Sequence, residues 1–511
     1  MDIWLLVLLP LSFAAAFSLL LRHATKKRRL PPGPPAVPII GNLFWLRRSF
    51  QDVETILREL HGQYGPIVTL HVGSRPLIFI SDRTLAHRAL VENGATFSNR
   101  GPQLPAARFV IRDHTISAAA YGPLWRLLRR NLISEILHSS RVKFYAHGRA
   151  WVLQVLTNHL RSQAASNDAG VVTAVESFQF AMFCLLVLMC FGEKLGEKAI
   201  KDIEIAQKSL LLYSRKLNVL AFAPRISRYI FRDRLKTALQ MRQRQVELFV
   251  PLIRARKEFK KQQQRQQSEE KRFVYSYVDS LLDIELSEEG ERKLTEPEMV
   301  ALCSEFLTAG TDATSTALQW IMANLVKHQE IQAKLLEEID GVVGRDGEEI
   351  KEEDLQKMPY LKAVIMEGLR RHPPGHFVLP HTVTEDVILD GYLMPKGASI
   401  NFMVSEIGWD GKVWEEPMEF KPERFLAGGT GEGVDITGSR EIKMMPFGVG
   451  RRICPGLGFA MLHLEYFVAN LVRKFEWKPV DGEEVDLSEK PEFTVVMKNP
   501  LRACILPRRN M

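Results

Sequence analysis

The chain has 511 residues, 46% of them hydrophobic and 25% charged, and 68 Lys and Arg against 60 Asp and Glu give it a net charge of +8. That composition excludes a disordered, collagenous or low-complexity protein, and no internal repeat is visible. The basic excess favours acidic partners or a membrane surface and is too dispersed to argue for nucleic acid, while length alone suggests about three domains.

Residues 3 to 21 carry no charge, and Arg22, Lys26, Lys27, Arg28 and Arg29 follow at once. A run of that length approaches the ~20 residues needed to cross a bilayer, and the basic flank holds the downstream chain on the cytoplasmic side. The expectation is a single-pass membrane anchor over 1–21. A cleaved signal peptide is the rival, supported by Ala14, Ala15 and Ala16; Asp2 and the length of the run speak against it. A basic, proline-rich hinge over 22–42 comes next. Four prolines between Pro31 and Pro35, then Pro38, make a stiff extended segment. A spacer beside a membrane is preferred over a ligand for a proline-binding domain. The remainder, 43–511, is assigned to one globular catalytic domain.

Residues 51–62 read as an amphipathic helix, and "IVTLHV" with "PLIFIS" as a strand hairpin. Helical periodicity dominates from about 118 to 275 and ends in the polar run 256–272. Thr295-Glu296-Pro297-Glu298 is a capping box with Pro in the first turn, and Leu294 and Met299 form a hydrophobic staple. The helix it opens runs to about Lys327. Further helices are expected at 328–342 and 360–371, strand-like runs between 382 and 404, and a last helix after Pro455 to about Phe475. The fold class is therefore mainly α with a smaller β region. The long helix interrupts itself: "SEFLTAGTDATSTALQW" places Thr308, Gly310, Thr311, Asp312, Thr314, Ser315 and Thr316 between apolar flanks. Asp312 is its only charge between Glu305 and Lys327.

Five cysteines, odd in number and without paired spacing, fit a reducing compartment and argue against disulfides or a structural zinc site. Four sit in apolar runs and read as buried hydrophobes. Cys454 differs, because it lies in "PFGVGRRICPG" one residue before a proline-initiated helix. N–H groups at a helix start, together with Arg451 and Arg452, are expected to favour the thiolate. Glycines at 448, 450 and 456 allow tight turns and close approach of a flat ligand. Such a thiolate suits an axial ligand of haem iron; a reactive or inert turn cysteine is the alternative.

At this point the chain resembles the cytochrome P-450 family, whose cysteine-loop pattern is met by Phe447, Gly450, Arg452, Cys454 and Gly456. The resemblance implies that family's fold behind an N-terminal membrane helix, haem b, and Cys454 as ligand of the iron. Phe447, Gly448 and Gly456 then belong to the haem-binding set. Glu367 and Arg370 resemble the family's Glu-x-x-Arg, and with Arg424 of "FKPERF" they imply a structural triad bracing the cysteine loop. Trp125 and Arg129, four apart, resemble a pair that reaches a haem propionate. Arg452 is expected at the second propionate, and His381 falls where many relatives carry arginine.

"AGTDAT" resembles the oxygen-binding notch of the family's distal helix. Ala309 and Gly310 are expected to leave room beside the haem, and Asp312 to open a proton relay, in a turn where the helical ladder loosens. One departure stands out: Ala313 replaces the usual threonine, and Thr314 lies ~100° around the helix. A working but leaky oxygenase is the expectation. The reading is a haem-thiolate monooxygenase taking NADPH electrons through a flavoprotein reductase that meets the cysteine side, with Arg126, Arg129, Arg130 and Arg451 as basic contacts. Its motifs most resemble plant A-type microsomal members, which implies the endoplasmic reticulum membrane, a catalytic domain facing the cytoplasm, and a role in plant secondary metabolism. Substrate is expected to meet segments near 101–118, 208–223, 303–311, 376–379 and 493–497, with Phe109, Phe306, Phe377, Val378 and Phe493 as apolar lining or plain core. A reductase-independent isomerase or dehydratase, favoured only by Ala313, and a non-catalytic haem sensor are the alternatives.

Overall fold

The structure, a computed structural model, describes residues 30–36, 42, 50–72, 75–101, 114–167, 170–214, 216–217, 229–266, 274–286, 290–344 and 349–508. The anchor expected over 1–21 and Phe109 lie outside the described residues. Helices predominate and strands form a smaller portion, as the periodicity implies. Two compact units are distinguished: unit one comprises Met1–Gly101, Gly375–Trp414 and Asp435–Ile453, and unit two comprises Pro102–Pro374, Glu415–Val434 and Cys454–Met511.

Unit one is built on a four-stranded sheet. Ile67–Val72 pairs antiparallel with Arg75–Ile80, with Ile67 opposite Ile80. Ser399–Phe402 then runs parallel to Arg75–Ile80, and His381–Thr382 closes the far side antiparallel. Side chains alternate between faces at period two, so the sheet has a core on each side. Ile56, Leu57 and Leu60 of the Phe50–Tyr64 helix cover Val68, Leu70 and Phe79 on one face. On the other face Ile78, Ile80, Leu90, Phe97, Ile400 and Phe402 pack with Ile442, Met445 and Val449. The proline segment is extended, as expected, and it has a docking place: Pro31 and Pro34 are buried, and the Thr69 N–H donates to the Pro32 carbonyl at 2.8 Å. It thereby covers the outer edge of the Ile67–Val72 strand, which would otherwise expose unpaired backbone groups.

Unit two is helical around the 32-residue helix Glu296–Lys327. Its start follows the capping signal: the Glu298 carboxylate accepts from the Thr295 N–H and hydroxyl, both at 2.7 Å. Ala174–Phe191 is apolar on all sides and buried almost throughout. Among the described residues it is the one helix long and apolar enough to cross a membrane, yet 83% of it is buried in the protein, as a core helix requires. It packs against Glu296–Lys327, and Gly310 permits the approach: a Cβ there would stand 2.8 Å from Leu186 Cδ1. The Trp320 indole N–H donates to the Val495 carbonyl at 2.8 Å, and the Thr316 and Thr494 hydroxyls lie 2.9 Å apart. These bonds tie the helix to the Glu489–Pro491 and Val495–Met497 ribbon. Pro359–Arg371 and Leu457–Lys474 complete the set that carries the site residues.

Candidate active site

Cys454 is half-buried and precedes Pro455 and the capping residue Gly456 of the helix Leu457–Lys474. The cysteine motif is divided between the units, with Phe447 to Ile453 in one and Cys454 onward in the other. Burial pushes the Cys454 thiol above its ordinary value; the Gly456 N–H and the Arg129 guanidinium pull the other way and do not prevail. Dehydration of the sulfur costs more than one N–H and one cation return, so a metal at the sulfur is what would hold the charged form. Arg451, counted on for help, is exposed.

Arg129 reaches toward that sulfur from the helix Pro123–Asn131. Trp125 is buried one turn earlier, and the guanidinium lies 5.5 Å over its ring. That stacking fixes a side chain whose pKa burial lowers and Cys454 raises. Arg126 and Arg130, on the outer face of the same helix, are exposed.

In unit one the Arg452 Nε donates to the Ser98 carbonyl at 2.8 Å. His381 Nδ1 lies 2.7 Å from the Phe97 carbonyl and therefore carries the hydrogen. Burial, reinforced by Arg100 and Arg452, lowers the His381 pKa to about 3. His381 is thus a neutral imidazole with its one N–H already used, and it would meet a carboxylate only by taking a second proton. Arg100, a cation beside His381, was not legible beforehand. Its guanidinium donates at 2.9 Å to the Leu379 and Pro380 carbonyls, and burial lowers its pKa to about 10. A lone arginine in an aperiodic loop carries no sequence signal. Phe447 and Gly448 are half-buried. Gly450 is fixed by backbone: with φ +76°, a Cβ would stand 2.1 Å from the Leu90 carbonyl oxygen. Phe377 packs edge-on to Phe79 at 6.0 Å, and Val378 lies against the same unit's core.

On the long helix, the ladder expected to loosen is continuous from Glu296 to Lys327. Gly310, expected to clear room beside a ligand, is occupied by its contact with Leu186; Ala309 is exposed and remains open. The Ser315 hydroxyl bonds back to the Thr311 carbonyl at 2.8 Å, satisfying itself without breaking the helix. Asp312 and Ala313 are half-buried, and Thr314 is buried. Burial lifts Asp312 to about 6, with Lys208 lowering and Glu492 raising it. The Thr311 hydroxyl, two residues before Ala313, is buried without a hydrogen-bond partner. Phe306 is buried with its ring 5.1 Å from Tyr277, and Phe493 is half exposed.

Glu367 and Arg370 are fully buried and paired in two parallel bonds, Nε to Oε2 at 2.7 Å and a terminal nitrogen to Oε1 at 2.8 Å. The Arg424 Nε reaches Glu367 Oε1 at 3.3 Å, and the Lys421 N–H donates to the same oxygen at 2.9 Å. The structure brings all three residues together.

A family profile described as cytochrome P-450 matches residues 31–505. The chain is 49% identical to cytochrome P-450 89A9 of Arabidopsis thaliana over 516 residues, spanning 99% of this chain and 98% of that protein. It is 31% identical over 512 residues to geraniol 8-hydroxylase of Catharanthus roseus, spanning 98% of each. A flavonoid 3'-monooxygenase of Arabidopsis thaliana is 30% identical over 491 residues, spanning 95% of this chain and 93% of that protein.

Replacing Glu367 by Ala strands two guanidiniums in the interior, and the expected destabilisation is roughly 3–5 kcal/mol. Urea unfolding of the variant beside the parent measures it; a loss below about 1 kcal/mol, the value of an exposed pair, would contradict the buried geometry.

Proposed function

Because the chain belongs to the cytochrome P-450 family and is a monooxygenase-class oxidoreductase, we propose that it inserts one oxygen atom from dioxygen into an apolar small molecule. NADPH supplies the electrons through a separate flavoprotein reductase. The observation that carries this is Cys454, a half-buried sulfur at a helix start with the Gly456 N–H and Arg129 turned to it. Among the described residues no three His, Cys, Asp or Glu side chains converge on one point. Cys454 therefore fits an ion that brings its other ligands with it, as haem b does. Haem, when bound, supplies the electron transfer and oxygen activation that side chains lack.

The chain's own residues divide the remaining work. Cys454 would ligate the iron, and Phe447, Gly448 and Gly456 belong to the haem-binding set that the family's cysteine-loop pattern implies. Trp125 and Arg129 in unit two, and Arg452 and Arg100 in unit one, are the groups that would hold propionate oxygens, while His381 would take part only when doubly protonated. Glu367, Arg370 and Arg424 keep the segment around them rigid. Ala309 marks the open side of the long helix. Asp312 holds and passes protons, since a group at about 6 is populated in both forms near neutrality. Ala313 offers no hydroxyl, so Thr311 and Thr314 are the hydroxyls left on that turn. Phe306, Phe377, Val378, Phe493 and Phe109 are the residues at positions that the family resemblance implies for an apolar lining.

The wider assignment is an anchor over 1–21, a hinge over 22–42 and a catalytic domain over 43–511, held at the endoplasmic reticulum membrane and facing the cytoplasm. Arg126, Arg130 and Arg451 are exposed and suit an acidic reductase surface, whereas Arg129 is committed to Trp125. Monooxygenases named for flavonoid and geraniol oxidation among the plant relatives support a role in plant secondary metabolism.

Reduced and treated with carbon monoxide, the haem-loaded protein is expected to show the strongly red-shifted Soret band of thiolate ligation, and Cys454→Ser to lose it. Haem binding without that shift in the parent would overturn the reading. Asp312→Asn should lower turnover roughly 10²-fold, the usual scale for a lost proton-transfer group. The protonated fraction of Asp312 falls from about one half at pH 6 to about one tenth at pH 7. Proton-limited turnover should decline over that window in the parent and stay flat in the variant, which a stopped-flow pH series reads. Ala313→Thr should reduce the peroxide released per NADPH consumed; unchanged coupling would show that Thr311 or Thr314 already does the task.

A further inference from the structure

The helix Glu296–Lys327 carries a second half-buried acid, Glu305, that the proposed mechanism leaves unused. Both carboxylate oxygens of Glu305 accept backbone hydrogens: Oε2 from the Ile116 N–H at 2.8 Å and Oε1 from the Ser117 N–H at 2.7 Å. One helical repeat earlier, Glu298 Oε1 lies 2.6 Å from His114 Nδ1. Seven residues separate the two acids, which places them on one face of the helix. The segment 114–117 is thus held to the helix at two points. Thr115 and Ile116 are themselves buried.

We propose that Glu305 is a positioning residue that sets substrate selectivity by holding residues 114–117 against the helix that also carries Phe306, Ala309 and Asp312. A carboxylate suits this task because it only accepts. Two adjacent backbone N–H groups point at it, and each finds an oxygen. An amide in its place turns one oxygen into a donor, so one backbone N–H faces another donor and must move. Phe306 is the next residue along, and the Tyr277 ring packs on it. A shift of the buried Ile116 therefore moves a segment that is pinned to the helix at the residue preceding Phe306. The selectivity part of this rests on the haem reading; the clamp itself does not.

The test compares the haem-loaded parent with Glu305→Gln and Glu305→Asp. Hydrogen exchange reports the clamp: exchange at the Ile116 and Ser117 amides is expected to rise roughly tenfold in Glu305→Gln, the effect of one lost buried hydrogen bond. Selectivity is read by titrating imidazole and clotrimazole and following the Soret shift as each azole nitrogen meets the iron. Imidazole should bind all three proteins equally, and the ratio of the two dissociation constants should change about tenfold in Glu305→Gln. Unchanged exchange overturns the clamp. Raised exchange with an unchanged ratio overturns the selectivity role. Glu305→Asp keeps the charge and shortens the reach, so it should change the ratio in the same direction and decides the matter if Glu305→Gln loads no haem. Absence of a Soret band in the parent would sink the haem reading, and the exchange measurement would still judge the clamp.

Discussion

Glu367 is a carboxylate with no access to water, and the surrounding structure has to answer it on every side. Its oxygens take two bonds from Arg370, one from Arg424 and one from the Lys421 N–H. The guanidiniums in turn have hydrogens left over. Arg370 gives these to the Pro417 and Glu419 carbonyls, and Arg424 gives one to the Glu416 carbonyl. A single buried charge therefore fixes residues 416–424, which form little regular structure, against the helix Pro359–Arg371. Such a pair adds little net stability over a well-packed apolar core. What it supplies is geometry, since these bonds hold that loop to the helix end at several points.

Burial is the common term behind the unusual acidities. It raises the Cys454 thiol, lifts Asp312 to about 6 and drops His381 to about 3. In each case the charged form has lost water, and the neighbours decide how much is returned. Cys454 receives one N–H and a partial share of Arg129, which is too little. His381 is flanked by cations, which makes matters worse for its own charge. In both units the same cost, a charge stripped of water, sets the direction of the shift, and the neighbours only moderate or deepen it.

Elements were legible where local rules act alone. The Thr295 capping signal, the hairpin at Ile67–Val72 and Arg75–Ile80, and the i, i+3 pairing of Glu367 with Arg370 are set by residues near in sequence. The cysteine motif and the Trp125–Arg129 pair were legible for the same reason. What sequence concealed depends on contacts between distant segments. Gly310 looked like space for a ligand because a missing side chain cannot announce what fills its place; Leu186 fills it. His381 falls where many relatives carry arginine, but its charge is decided by burial and by Arg100, Phe97 and Arg452. The proline segment looked like a free spacer, and its hydrogen bond to Thr69 docks it to an edge strand.

The long helix shows why spacing and chemistry must be read together. Glu298, Glu305 and Asp312 recur every seven residues, a repeat that drifts only ~20° per step and so keeps all three near one face. Their tasks nevertheless diverge. Burial works against the charge of Glu298, but Arg292, Thr295 and His114 outweigh it and hold it at about 2, a permanent anion at the helix start where the dipole favours one. Glu305 is raised by burial and eased by the donors of residues 115–117, which makes it an acceptor for backbone. Asp312 has only Lys208 to offset its burial, with Glu492 opposing, and is left able to exchange a proton near neutral pH. One helical stripe thus carries a capping anion, an acceptor for backbone hydrogens and an acid that titrates near neutral pH. The repeat fixes where the three acids stand, and the segments packed against each decide which of them stays mobile in charge.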